Sequence, residues 1–149
     1  MGAAGGVGGG VFEGLLGEWS LEREIPGRGR MKGRARFTLL DGETALYEES
    51  GEFRLEGGQT LHSRQSYVYE KTEDGFAVRF ADTRELFHVM RFAVSGDDLV
   101  AEASHTCLND LYLSGYTVRR DGSFEVRHQV RGPQKDYRIR TTYCRSLAR

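Results

Sequence analysis

The 149-residue sequence is poor in proline and cysteine, with two of each, and it has neither a long apolar run nor an excess of charge of one sign. Each shortage excludes something. No stretch approaches the roughly 18–20 apolar residues that a spanning helix needs, so no transmembrane helix is expected. Met1 to Gly10 is glycine-rich where a secretory signal has a cationic end and an apolar middle, so a cytoplasmic protein is expected. Gly6 stands where an N-myristoylation motif wants Ser or Thr, which argues against a lipid anchor. Lys+Arg 21 against Asp+Glu 22 gives a formal net charge of −1 and, for the molecule as a whole, no electrostatic pull on nucleic acid or an acidic membrane. Cys107 and Cys144, with no secretory signal, read as reduced thiols rather than as a disulfide framework. A sustained 3.6-residue apolar period is missing as well, which excludes helical architectures.

What is present is period two. From Gly17 onward apolar and polar residues alternate, with turn residues about every 8–14 positions, the signature of an all-β meander. Trp19, Leu21 and Ile25 share one face of the first strand, opposite Glu18, Ser20, Glu22 and Glu24; Ala35, Phe37 and Leu39 share one face of the second. Further strands are expected over 44–56, 60–70, 76–80, 86–94, 99–107, 110–120, 124–131 and 137–145, ten in all. Asp41-Gly42, Gly57-Gly58, Asp74-Gly75, Ser95-Gly96-Asp97 and Asp121-Gly122 supply the turns, and such short links make antiparallel neighbours. The two prolines, Pro26 and Pro133, fall near strand ends, where a missing N–H does least harm. An open sheet of ten strands leaves two edges whereas closure removes both, so the expectation is a single antiparallel up-and-down β-barrel of about 8–10 strands. Residues 1–10 read as a disordered glycine-rich tail, 11–149 as one domain, and Val11 to Gly17 as a short helical turn across one barrel end.

Polar residues in phase with the apolar face carry the functional signal, because burying an unpaired polar group costs on the order of 1–3 kcal/mol. Arg23 lies between Leu21 and Ile25, His88 between Leu86 and Met90, and His128 between Val126 and Val130, while His105 follows Ala101 and Ala103 and Glu49 follows Tyr47. A register-true barrel then encloses three imidazoles, a guanidinium and a carboxylate. That composition suits a hydrated cavity for a molecule with an apolar body and a polar or anionic group, anchored by Arg23 and walled by Trp19, Phe37, Tyr47 and Tyr67. The cations at Arg28, Arg30, Lys32, Arg34 and Arg36 share one side of their strand, and their natural partners are Glu18, Glu22 and Glu24 across the hairpin. His105-x-Cys107-x-x-Asp110-x-Tyr112 contains metal-capable groups without a zinc-like spacing, so no metal is expected. No third group orients Cys107 and His105 for nucleophilic catalysis, and no glycine-rich phosphate loop opens a helix. In the turn Gly132 to Tyr137, Lys135 and Asp136 are expected to clasp each other or cap the backbone.

Several motifs together point to a family: Gly17-x-Trp19-x-Leu21-x-Arg23, Phe80-Ala81-Asp82-x-Arg84-x-x-Phe87-His88, the His105 to Tyr112 cluster, Gly132-Pro133-x-Lys135-Asp136-Tyr137 and Tyr143-x-Arg145. From about Phe12 to Arg145 the chain resembles an uncharacterised family of unknown function placed in the calycin superfamily with the lipocalins and fatty-acid-binding proteins. The resemblance implies a barrel in which Trp19 closes one end and stacks on Arg145, a structural contact like the one that the turn chemistry gives Lys135 and Asp136. It leaves the activity open. Gln134 stands where the family usually has Arg in that turn, so the turn has one cation fewer for an anionic ligand.

Three functions follow as expectations. The first is a binding module for a small ligand, held by Arg23, Tyr47, Glu49 and Tyr67 together with His88, His105, Tyr112 and His128. The second is a small enzyme with His88 and His105 as acid–base pair, with a haem- or bilin-binding calycin as a variant. The third is a partner-binding role for the cationic stripe or a barrel edge. No cofactor is required by the first reading, and a monomer or weak homodimer is expected.

Overall fold

The computed structural model of the chain describes residues 10–145. The glycine-rich segment read as a disordered tail lies outside the described residues but for Gly10, as do the last four positions of the expected domain. The fold is all-β apart from one five-residue helix, α1 (Val11–Leu15). The strands are β1 (Gly17–Ile25), β2 (Gly29–Asp41), β3 (Thr44–Leu55), β4 (Thr60–Thr72), β5 (Gly75–Phe80), β6 (Leu86–Arg91), β7 (Ala93–Ser95), β8 (Asp98–Cys107), β9 (Asp110–Val118), β10 (Phe124–Gly132) and β11 (Lys135–Arg145).

All ladders are antiparallel in the order β6-β5-β4-β3-β2-β1-β11-β10-β9-β8-β7, so every neighbour is a sequence neighbour except β1 and β11, which join the two ends of the meander. The sheet is a nearly closed up-and-down barrel. The expected strand 86–94 is split: Leu86–Arg91 pairs with β5, while Ala93–Ser95 pairs with β8. The break falls at Phe92, whose N–H donates to the Asp74 carbonyl at 2.9 Å and whose ring is buried. One strand thus turns a corner from one sheet edge to the other and brings β6 alongside β8.

Two further expectations change. Leu39 is 49% exposed although it pairs in register with the buried Ala45, because it stands at the end of the regular β2–β3 ladder, just before the register slips ahead of Asp41. Leu86 is 45% exposed because the β5–β6 register slips after Val78, leaving Phe87 without a ladder partner and turning its ring inward beside His88.

The barrel ends differ. At the end where β1 begins, α1 buries Val11, Phe12 and Leu15 over Trp19 and Phe124. A free five-residue helix is unstable in water, and burial of each such side chain contributes roughly 1.5–3 kcal/mol towards holding it here. Trp19 Nε1 donates to the Leu15 carbonyl at 2.7 Å, and the Arg145 guanidinium lies 3.8 Å from the Trp19 ring while donating to the carbonyls of Gly14 and Glu18. Trp19 meets Phe124 edge-on, and Phe124 stacks on Tyr143 at 4.2 Å. Among the described residues no helix covers the opposite end, where the β1–β2, β3–β4 and β10–β11 turns lie.

Outside, two cations of the stripe pair across the hairpin, Arg36 with Glu18 at 2.7 Å and Arg30 with Glu24 at 3.4 Å. Cys107 and Cys144 are free and exposed. No described helix is long and apolar enough to cross a membrane.

Candidate functional site

Towards the unplugged end the barrel encloses a cavity of about 280 Å³. Its wall includes Arg23, Tyr47, Glu49, Tyr67, His88, Tyr112 and His128, seven of the eight residues expected to hold a ligand. His105 faces inward next to this group, its ring 6.4 Å from His88 and 6.3 Å from its cross-strand partner Tyr112, without contributing to the wall. Trp19 and Phe37, expected as walls, belong to the packed plug instead.

Arg23 is not the free anchor its position implied. Its two terminal nitrogens donate to the Glu49 carboxylate at 2.7 and 2.8 Å, its Nε donates to Thr141 Oγ1 at 2.8 Å, and its side chain is 11% exposed against 1% for Glu49. Burial opposes the charge on Arg23, yet the adjoining Glu49 carboxylate more than offsets it and raises the guanidinium pKa further. The pair spans two strands. Rows Arg23–Met31–Phe53 and Trp19–Ala35–Glu49 flank the row Leu21–Gly33–Gly51, so the guanidinium reaches β3 diagonally across Gly33. A Cβ on Gly33 would lie 2.3 Å from the Ser50 carbonyl oxygen, so only glycine permits this approach of β2 and β3.

Tyrosines complete the polar network. Tyr47 Oη donates to Glu49 at 2.5 Å and lies 2.7 Å from Tyr143 Oη, and Tyr69 and Tyr116 pair hydroxyl to hydroxyl at 2.7 Å. Burial is the main reason their phenol pKa values rise, to about 12 for Tyr143, so all four stay protonated at neutral pH. Tyr67 and Phe87 rings lie near-parallel along the same wall, 14° apart.

A second network joins three strands. Ser114 Oγ lies 2.7 Å from both His88 Nε2 and His128 Nδ1, and His88 Nδ1 is buried without a partner. Burial first, then the neighbouring His128 and His105, holds His88 at about 4; burial and Arg23 hold His128 at about 4 against the opposing pull of Glu49. Both rings are neutral at pH 7.

Sequence reasoning missed Ser114, Thr141 and Tyr143. The signal was there: Ser114 is in phase with Tyr112 and Tyr116, and Thr141 with Tyr143. Lys135 and Asp136 do not clasp each other, because adjacent strand residues project to opposite faces. Lys135 instead pairs with Asp110 at 3.0 Å across the end of β10. Among the described residues no three His, Cys, Asp or Glu side chains converge as a metal site would require.

The chain is similar to three solved structures. Rv2717c from M. tuberculosis has a TM-score of 0.63 at 15% identity, covering 95% of this chain and 99% of that one. EF1p2_mFAP2b and the redesigned beta barrel mFAP1, each bound to DFHBI, have TM-scores of 0.49 and 0.44 at 12% identity, covering 91% and 89% of this chain and 96% of each of theirs. At 15% identity the likeness to Rv2717c concerns the fold alone. No curated protein matches the chain in sequence. A model described as a family of unknown function, DUF6314, matches residues 15–145, and the chain belongs to that family.

Proposed function

We propose that the protein binds a small ligand inside the barrel. The observation that carries this reading is an interior space of about 280 Å³ whose wall holds two side-chain hydrogen-bond networks, Arg23–Glu49–Tyr47–Tyr143 and His88–Ser114–His128. A core evolved for stability alone fills such space with apolar side chains in close packing. Here polar pairs are held in place with room left beside them, the arrangement of a preformed site. The reading of the barrel as a calycin rests on the meander order together with the Trp19–Arg145 contact.

Native mass spectrometry of the freshly purified full-length protein tests the proposal, with a Ser63→Phe variant as control, since Ser63 lines the cavity. A bound mass in the parent that the variant loses is the expected result. A parent protein that carries no ligand and gains no thermal stability from a panel of small amphiphiles would end the idea.

Acid–base catalysis is the second reading, and the Ser114 hydroxyl between two imidazoles is what favours it. Against it, no carboxylate orients His88 Nδ1, and His105, the partner expected for His88, stands apart from the network. A haem or bilin does not fit this arrangement. His88 and His128 are tied to Ser114, and the cavity lies just below the roughly 300–1,000 Å³ of sites for drug-sized ligands.

A further inference from the structure

We infer that the ligand is an uncharged aromatic molecule carrying a hydrogen-bond acceptor, and that the acceptor meets the Nε2–H of His128. This rests on the ligand-binding reading and narrows it.

The first argument concerns charge. Among the described residues, Arg23 and Glu49 are the only charged ones in the cavity wall, and they neutralise each other through two hydrogen bonds. An incoming carboxylate would have to displace Glu49 and strand it, buried, without a cation. An incoming cation meets the converse obstacle, since Arg23 and Tyr47 already occupy the Glu49 oxygens. The imidazoles, neutral at pH 7, add no charge. Neither sign of ligand has a free counter-ion here.

The second argument concerns proton direction. The sealed nitrogen of His88 is either a bare lone pair or an N–H with no acceptor, and orphaned N–H groups are the rarer kind in folded proteins. With His88 Nδ1 bare, its proton sits on Nε2 and is donated to Ser114 Oγ. Ser114 Oγ could accept from both rings, but that would leave its own buried hydroxyl proton without an acceptor, so it donates that proton to His128 Nδ1. His128 must therefore hold its own proton on Nε2, the nitrogen left to meet a guest in the cavity that His128 lines. One buried, partnerless atom fixes the polarity of the whole chain of hydrogen bonds.

The third argument concerns shape. Phe87 lies near-parallel to Tyr67 at 14° and to His128 at 26°, with centroids 6.2 Å apart in both pairs, and Tyr47 stands beside Tyr67. A wall of ring faces suits an aromatic guest.

The experiment compares three probes with one aromatic body, naphthalene, 2-acetylnaphthalene and 2-naphthoate, by titration calorimetry of the full-length protein at neutral pH. The ketone is expected to bind about tenfold more tightly than the hydrocarbon, the upper range for one neutral hydrogen bond, and at least about tenfold more tightly than the carboxylate. His128→Leu should erase the ketone's advantage while keeping naphthalene bound, and His128→Gln, which retains an N–H, should restore part of it. Imidazole ¹⁵N NMR of the unmodified protein should show His88 Nδ1 unprotonated and His128 Nε2 protonated. Naphthoate binding as tightly as the ketone, or a proton on His128 Nδ1, overturns the inference and leaves the cavity reading standing. If none of the three binds, the cavity reading fails and takes the inference with it.

Discussion

Acidifying the protein from pH 7 to pH 5 should remove about 3–4 kcal/mol of stability, most of it through two histidines. His88 and His128 titrate at about 4 in the folded chain against an ordinary value of 6.5. Between those values the unfolded chain takes up protons that the folded chain refuses, so the stabilisation is complete above the ordinary value and drains away as pH falls. At pH 5 each ring accounts for about 2 kcal/mol, and the shared Ser114 makes the pair worth slightly less than twice that. Carboxylates act elsewhere on the pH scale. Glu13, Asp41, Asp121 and Glu125 all titrate below their ordinary values of 3.8–4.5, so what they contribute is present above those values and is lost only in stronger acid. Urea unfolding followed by Trp19 fluorescence at several pH values between 7 and 5 measures the loss directly. The double variant His88→Gln, His128→Gln should be flat over that range. A parent protein whose stability is level from pH 7 to 5, or a double variant that keeps the slope, would refute the reasoning.

Other perturbations bear on the same architecture. Glu49→Gln strands a buried guanidinium and should destabilise by about 3–5 kcal/mol, whereas Arg23→Met combined with Glu49→Leu should recover most of the loss in the same urea assay. Arg145→Ala removes the ring contact with Trp19 and two hydrogen bonds to carbonyls, for a loss of about 1–2 kcal/mol, while Arg36→Ala on the outer face should change stability by less than about 1 kcal/mol. Gly51→Ala would place a Cβ 2.4 Å from the Lys32 carbonyl oxygen and 2.8 Å from the Met31 methyl. The strands must part to admit it, and a thermal melt should register a loss of about 1–3 kcal/mol.

The barrel was legible because period two survives in nearly every strand, and because short turns leave a meander few other ways to close. Inward polar residues were legible for the same reason: Arg23, Glu49, His88 and His128 each break an apolar series in phase. What stayed hidden is whatever depends on strands that are not neighbours. Arg23 on β1 and Glu49 on β3 meet across β2, and Ser114 meets His88 from 26 residues away. Neither contact follows from any local pattern. The corner at Phe92 was invisible for another reason. Met90 and Phe92 continue the inward series set by His88, so alternation runs straight through the bend and only the pairing partner changes. Phe87 shows the limit of periodicity itself, since one slip in register puts two consecutive residues on the same side.

The interior divides into two regimes along the barrel axis, and the division supports a binding role. At the plugged end aromatic rings pack edge to face and face to face, the arrangement that maximises stability from apolar burial. Towards the other end the chain gives up some of that stability. His88 Nδ1 is buried without a partner at a cost of about 1–3 kcal/mol, and an ion pair fills ground that apolar side chains of similar volume would hold as well or better. Both of these sacrifices fall on the wall of one cavity, while the other buried polar atom without a partner among the described residues, Thr72 Oγ1, lies at the plugged end. A barrel selected only to stay folded has no reason to concentrate them there, whereas one that must present an oriented N–H beside ring faces has to fix its imidazoles, keep them neutral and keep other charges matched. The Ser114 bridge and the Arg23–Glu49 pair meet those three requirements with side chains alone.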